Sequence, residues 1–541
     1  MNARAVTPMV AAVLLPLIAV TLFSPFYQTN DDVTMRLLAE GHFVPGGKPV
    51  PFLLFINAVI GKILAIAYSL MPGVPWYDLM LGASLIAAAS ALVVVWIGSG
   101  ARREMLWTVI IAVFFLLPAF VSVQFSIVGL TCSAAGFALL VHAAIDPRAR
   151  RLHAIVGTAL FVWGSLIRFE GAVLMAIEGA ALALPLLSGA RSRWRALLLP
   201  AGAALILMMA FFAVDRVAYN RSRGWSGFHE FDTLRRRGVD YLIPEQLTPP
   251  VMARLRAETG WSENDFFLFN GWYFTDPAVY SLAKVRKAAE IFGGQIWTAV
   301  RVNGAVRDAG AFLIKMRWTF LLLGIFVLAR GAPTRLILYF LGTTLTVVVL
   351  VGVVSVISKT PPPRIYWPML ILAATMLTIA ARRVEQAPRP WLTAAASILG
   401  LFVAGHSLLA LHRTSEAHRA AAGNTQRDVA ELRRIDARLF IIHGNAFSYE
   451  DYWRPLHPAP PPFAFIGLGL TDQTPPVQDA LRATASIDVA WSLCSDPTLV
   501  LVAWEPIPPM LSQYVLEHRG VAVHFEPLLR REHVSAWRCH R

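Results

Sequence analysis

The chain has 541 residues, 56% of them hydrophobic and only 15% charged, against the roughly 45–50% apolar content usual in soluble domains. That balance excludes an ordinary soluble globular protein and implies a polytopic membrane protein. The net charge of +14 does not mark a nucleic-acid binder, because most basic residues fall in short gaps between apolar stretches, where they orient a chain in a membrane.

At about 1.5 Å of rise per residue against a hydrocarbon core about 30 Å thick, spans are predicted near 7–23, 78–97, 106–122, 126–145, 152–168, 171–188, 195–214, 311–329, 336–356, 366–381 and 391–411. That makes about 11 transmembrane helices. The segment "FLLFINAVIGKILAIAYSLM" (52–71) is long enough to be another. If it does not cross, fourteen basic residues, among them Arg4, Arg102/Arg103, Arg148, Arg382/Arg383 and Arg389, share one side of the membrane, as the positive-inside rule requires. It is therefore read as an interfacial helix of the first outer loop, which suits Asn57, Lys62, Tyr68 and Ser69. No small-residue cleavage pattern follows the first apolar run, so that run is expected to remain as a span, with the N-terminus cytoplasmic. The expected division is a transmembrane domain over 1–411, with outer loops 24–77 and 215–310, and an external domain over 412–541.

The first outer loop carries "TNDDVTMRLLAEG" (29–41). A short helix is predicted, capped by Asn30 or Asp31 and ended by Gly41. Capping accounts for one carboxylate. Two adjacent ones at a membrane surface, where burial penalises both, are candidates for a general base, an electrostatic stabiliser or a metal ligand. Asp32 is slightly favoured as the base over Asp31, because Asn30 or Asp31 is the better-placed cap.

Further along, "SLIRFEG" (165–171) puts Arg168 and Glu170 at the outer end of a span, as an anchoring ion pair or as a phosphate contact. Glu178 is a lone acid within the next span, a functional candidate or a hydrogen-bonded packing group. In "GWSENDFFLFNGWYFTDPAVYS" (260–281), Trp261 and Trp272 alternate with acids such as Asp265. Aromatic faces and carboxylates suit a sugar surface, and equally a loop packed on its own aromatics. The proline-rich loop "SKTPPPRIYWP" (358–368) presents Lys359, Arg364 and Tyr366, which fit either a lipid-linked phosphate or headgroup anchoring.

Beyond 412, short apolar runs with turn signals at 438–447, 461–469, 498–506 and 520–527 predict a small α/β domain. Its "HGN" turn (443–445) lacks the glycines of a dinucleotide-binding junction. Cys132 falls inside a span, whereas Cys494 and Cys539 fall in the exported domain, where the compartment permits a disulfide. No zinc or haem spacing is present.

In layout the chain resembles the GT-C membrane glycosyltransferases, which take sugars from polyprenyl-phosphate carriers. The shared features are an acidic motif in the first outer loop ("NDD", 30–32), an interfacial helix after it, many spans and an outer C-terminal domain. Within that class it looks most like a bacterial group whose first loop reads much as "NDDVTMRLLAEGHFVPGGKPVPFLLFINAVIG" (30–61) followed by "YSLMPGVPWY" (68–77). The resemblance implies an acidic catalytic residue at Asp31 or Asp32, a polyprenyl-phosphate sugar donor, a cell-envelope glycan or lipid acceptor, and a bacterial inner-membrane location with chemistry on the periplasmic face. The mechanism expected on this reading is inverting transfer with no nucleotide. The WWDxG-type motif of oligosaccharyltransferases is absent, which argues against peptide glycosylation. A divalent metal at the Asp31/Asp32 pair would need oxygen ligands from elsewhere. The alternative reading is a transporter or flippase for a lipid-linked precursor with Glu178 as coupling site, though the internal repeats usual there are not evident.

Overall fold

The computed structural model describes residues 3–97, 102–146, 150–188, 191–242, 246–293, 298–383, 390–457 and 459–541. Arg148 and Arg389, counted above among the inner-side charges, lie outside them. Among the described residues, eight helices are long and apolar enough to cross a membrane: Trp76–Ile97, Glu104–Val121, Phe125–Ile145, Phe169–Leu187, Arg191–Arg221, Thr334–Ile357, Pro363–Ala381 and Pro390–Leu432. A ninth is formed if Ala299–Lys315 and Arg317–Ala329, bent by 61° at Met316, count as one. The chain is thus a multi-span membrane protein. The helices at two other expected spans, Ala3–Leu22 and Arg150–Ile167, have described apolar parts that are shorter, so eight or nine segments meet this measure where about 11 are expected.

The helix Phe125–Ile145 forms the centre, with nearly every residue buried. Gln124 starts it by accepting from the N–H groups of Ser126 and Ile127 at 2.6 and 3.0 Å, which satisfies two otherwise orphaned donors. Its closest neighbour is Arg150–Ile167. A Cβ at Gly136 would stand 2.5 Å from the backbone N of Phe161, so small residues set this helix spacing, as is usual where lipid removes the hydrophobic drive for association.

The 52–71 segment folds as a helix of only 13 residues, Ala58–Leu70, capped by Asn57. That is about 20 Å long, too short for the hydrocarbon core. It buries Ile60, Leu64 and Tyr68 and exposes Ile63, Ile66 and Leu70, the division expected of a helix lying in the interface.

Strand β1 (Phe26–Tyr27) pairs in parallel with β2 (Ser122–Val123) and ties the 24–77 segment to the start of the central helix. Apart from the membrane-crossing helices stand helices Trp225–Gly238, Pro249–Thr259, Glu263–Asn270 and Leu282–Gly293, and the C-terminal α/β domain. That domain has a five-stranded sheet of β3 (Leu439–His443), β4 (Phe465–Leu468), β5 (Leu499–Val502), β6 (His524–Arg530) and β7 (Ser535–His540), in the order β4-β3-β5-β7-β6. β3 is parallel to both β4 and β5, while β7 runs antiparallel to β5 and β6. The parallel strands are buried throughout, as strands covered on both faces must be. Cys494 and Cys539 form a disulfide between helix Val489–Ser495 and β7. The 43-residue helix Pro390–Leu432, about 65 Å long, connects the membrane layer to this domain without interruption across 411–412.

Candidate functional site

The helix Asn30–Glu40 places the paired carboxylates. Thr29, not Asn30 or Asp31, takes the N-cap position, and Gly41 ends the helix at φ 79°. A Cβ at Gly41 would lie 2.5 Å from the Lys48 carbonyl carbon, so only glycine fits this turn. Both acids sit in the first turn, where the helix dipole favours negative charge.

Their surroundings differ. Asp32 is 0% exposed. Its Oδ1 accepts from the Tyr77 hydroxyl at 3.0 Å and the Phe125 N–H at 2.9 Å, and Oδ2 lies 3.5 Å from Thr29 Oγ1. It joins the first loop to the helices starting at Trp76 and Phe125. Burial pushes its carboxyl well above the usual range, against the pull of those two donors. Asp31 is half-buried and makes no hydrogen bond or ion pair among the described residues. Burial raises its carboxyl too, opposed chiefly by Arg364 and Arg168 and also by Arg235, while Asp240 adds to the rise. The preference for Asp32 as the base therefore meets a physical obstacle: it is sealed and both donors to its Oδ1 are protein groups, whereas the open carboxylate is Asp31.

The surrounding cations come from three segments. Arg168 precedes helix Phe169–Leu187, lies 5.2 and 5.7 Å from the ring centres of Phe55 and Phe125, and approaches Glu170 at 3.5 Å. Arg364, in the first turn of Pro363–Ala381, is half-buried and has no hydrogen bond or ion pair among the described residues. Arg235 was not anticipated. It is 2% exposed, grips Asp232 through Nε and Nη2 at 3.0 and 2.6 Å, reaches Asp240 at 2.9 Å, and lies 4.4 Å over the Trp272 ring. Asp232 also accepts from Arg236 at 2.6 Å. Burial would raise Asp232, but Arg235 and Arg236 hold it below the ordinary range. The signal was present in "DTLRRRGVD" (232–240), whose acid and bases stand three and four residues apart on one helix.

The other expected residues divide. Trp272 is half-buried beneath Arg235 at φ 69°, a conformation costly for a non-glycine residue. Lys359 is exposed and donates to the Val239 carbonyl at 3.2 Å. Tyr366 is buried against Phe312, its hydroxyl unpartnered among the described residues. Trp261 and Asp265 serve packing: Trp261 is 1% exposed and donates to the Val279 carbonyl at 2.7 Å, while Asp265 closes a capping box with Ser262 and meets His518 at 2.8 Å. The Ser-x-x-Asp spacing that builds this box explains the acid without a sugar. Glu178 is 0% exposed within its helix, with neither oxygen partnered among the described residues.

A second buried assembly fixes the first loop from behind. Arg36, 0% exposed, donates to Glu40 at 2.8 Å, pairs with Asp78 at 3.3 Å, and reaches the carbonyls of Arg454 and His457 at 3.1 and 3.4 Å. Tyr27 donates to Asp78, which also accepts from the Leu456 N–H at 2.8 Å. The C-terminal domain is thereby tied to the carboxylate-bearing helix.

As a metal site the Asp31/Asp32 pair offers one open carboxylate. Among the described residues, Asp265, Glu517 and His518 are the one group of three ligand atoms close enough to share an ion, and neither aspartate belongs to it.

No family model matches the chain, and no curated protein matches it. Solved structures similar to it include ArnT from Cupriavidus metallidurans bound to undecaprenyl phosphate, at 12% identity over 99% of this chain and 98% of that one with a TM-score of 0.43. The same protein in the apo state gives 11% identity over 98% and 97% of the two chains and a TM-score of 0.40.

Proposed function

We propose that this membrane protein transfers a sugar from a polyprenyl-phosphate donor to a hydroxyl of a cell-envelope glycan or lipid on the outer face of the inner membrane, with Asp31 as the general base. The observation that supports this reading most is the half-buried carboxylate of Asp31, without a hydrogen bond among the described residues and within the influence of Arg168, Arg235 and Arg364. A base needs a free oxygen within reach of its proton. A leaving phosphate needs fixed cations where its charge develops, and arginine can grip it at two oxygens.

In the proposed step Asp31 takes the proton of the acceptor hydroxyl as that oxygen attacks the anomeric carbon. The bond from that carbon to the phosphate oxygen breaks, and its electron pair leaves on the polyprenyl phosphate. Arg364, which has no hydrogen bond or ion pair among the described residues, and Arg168 receive the charge. Attack opposite the leaving group inverts the anomeric carbon. Asp32 holds the helix that aims Asp31. Lys359, exposed near Arg364 in sequence, serves donor-headgroup contact, Tyr366 packs behind Arg364, and Trp272 on Arg235 offers an aromatic face for a sugar ring.

Purified protein in nanodiscs, supplied with a panel of radiolabelled undecaprenyl-phosphate sugars, should release free undecaprenyl phosphate from at least one of them. A panel left intact, with undecaprenyl phosphate itself unbound, would refute the reading.

A further inference from the structure

The groups around Asp31 differ in charge according to the part of the chain that supplies them. Arg168 and Arg364 come from the membrane layer and Arg235 from the 215–310 loop. The C-terminal domain meets the same helix end with an amide and a carboxylate. Asn445, exposed in the turn after β3, accepts from the side-chain amide of Asn30, the residue before Asp31. The short helix Tyr449–Tyr452 packs against Asn30–Glu40 and β1. Its Glu450 is half-buried, its carboxylate is bonded, among the described residues, only to its own backbone N–H, and it lies close enough for Asp31 to act on it.

The neighbouring acid is occupied: Asp451 meets His418 at 3.3 Å, and His418 stacks on Phe26 at 3.7 Å between ring centres. These contacts, with the Arg36 and Asp78 ties to 454–457, fix the position of Glu450 relative to Asp31.

We infer that Asn445 and Glu450 bind the acceptor, and that the group they receive is a neutral or cationic polyhydroxylated headgroup and not a phosphate. The inference rests on the glycosyl-transfer reading and adds the acceptor class to it. A carboxylate is an acceptor only, so it takes hydroxyl or ammonium donors and repels phosphate, while an asparagine amide both donates and accepts. Anionic donor and hydroxylated acceptor are thus sorted by charge to different walls, which sets their orientation before reaction.

The test uses the labelled donor that proves active, with hexyl β-glucoside and its 6-phosphate as matched acceptor probes. The parent protein should use the neutral probe at least about tenfold better by kcat/KM. Glu450→Gln should raise KM for the neutral probe by about tenfold, the loss of one hydrogen bond with charged character, and Asn445→Ala by about fivefold, the loss of one neutral hydrogen bond, with donor KM and unfolding temperature little altered. Glu450→Lys should narrow or reverse the preference against the phosphorylated probe. Equal use of the two probes by the parent, or unaltered acceptor KM in Glu450→Gln and Asn445→Ala, overturns the acceptor assignment while leaving transfer itself intact. Release of undecaprenyl phosphate with no glycosylation of the neutral probe overturns the acceptor assignment and leaves the transfer reading standing, whereas a donor panel left intact overturns both.

Discussion

Replacing Asp32 by alanine should destabilise the protein strongly, because its role is to satisfy buried donors. Its Oδ1 serves both the Tyr77 hydroxyl and the Phe125 N–H with no solvent access. An unsatisfied buried donor costs about 1–3 kcal/mol, so two orphaned donors predict a loss of about 2–6 kcal/mol. The Thr29 contact at 3.5 Å is too long to add much. Asp32→Asn retains one oxygen for both donors and should lose little. Tyr77→Phe removes a donor as well as an interaction, so the double variant Asp32→Ala/Tyr77→Phe should be less unstable than the sum of the singles by about 1 kcal/mol or more, since residues sharing a hydrogen bond are not additive. Reversible unfolding in detergent measures all four proteins. A loss under about 0.5 kcal/mol for Asp32→Ala, or strict additivity in the cycle, would refute the anchoring role.

Arg364→Ala should raise the donor KM by about tenfold or more, since a charge-assisted hydrogen bond to phosphate is worth about 1.5–3 kcal/mol; unchanged donor kinetics would reduce Arg364 to a headgroup anchor. The rate should fall as pH drops through the Asp31 pKa, on an acid limb above the ordinary carboxylate value of about 3.9, because burial raises that group. Arg364, Arg168 and Arg235 pull it down and Asp240 pushes it up, so Arg364→Ala should move the limb to higher pH. Limbs that coincide in the parent and Arg364→Ala would separate the titration from Asp31. Reporter fusions after Pro75 should read as external and those after Arg103 as internal, and a cytoplasmic signal after Pro75 would place Ala58–Leu70 across the membrane and invert the later loops.

The sequence pointed to the first loop because two carboxylates stand where burial penalises them, but not to which is free. That depends on Tyr77 and Phe125, 45 and 93 residues further along, and no local spacing reports such partners. The basic loop at Arg364 was readable from its prolines and cations, whereas Arg235 gains its meaning from Trp272 in another helix–loop segment. The predicted span 311–329 joined the end of one helix to the next, because Leu313 and Ile314 are apolar yet exposed on the amphipathic helix Ala299–Lys315. Apolarity alone does not show the 61° bend after it. In the C-terminal domain the four predicted strand regions correspond to β3 to β6, while β7 ("SAWRCH") was missed because its partners and the Cys494 disulfide, not an apolar run, hold it. Asn445 reads as part of the "HGN" turn and nothing in the sequence singles out Glu450, since only docking of the domain on Asn30–Glu40 brings them together beside Asp31.

The central claim is most directly tested by sugar transfer from labelled undecaprenyl-phosphate donor with Asp31→Asn beside the parent, scored together with thermal stability. Folding raises the Asp31 carboxyl, so the stability this group contributes is present at low pH and is lost as pH rises from its unfolded toward its folded pKa. Asparagine removes that loss. At neutral pH the variant should unfold at the parental temperature or above it, while its turnover falls by about 10²-fold or more, the usual scale for loss of a general base. Parental turnover in a stably folded Asp31→Asn protein would contradict the account.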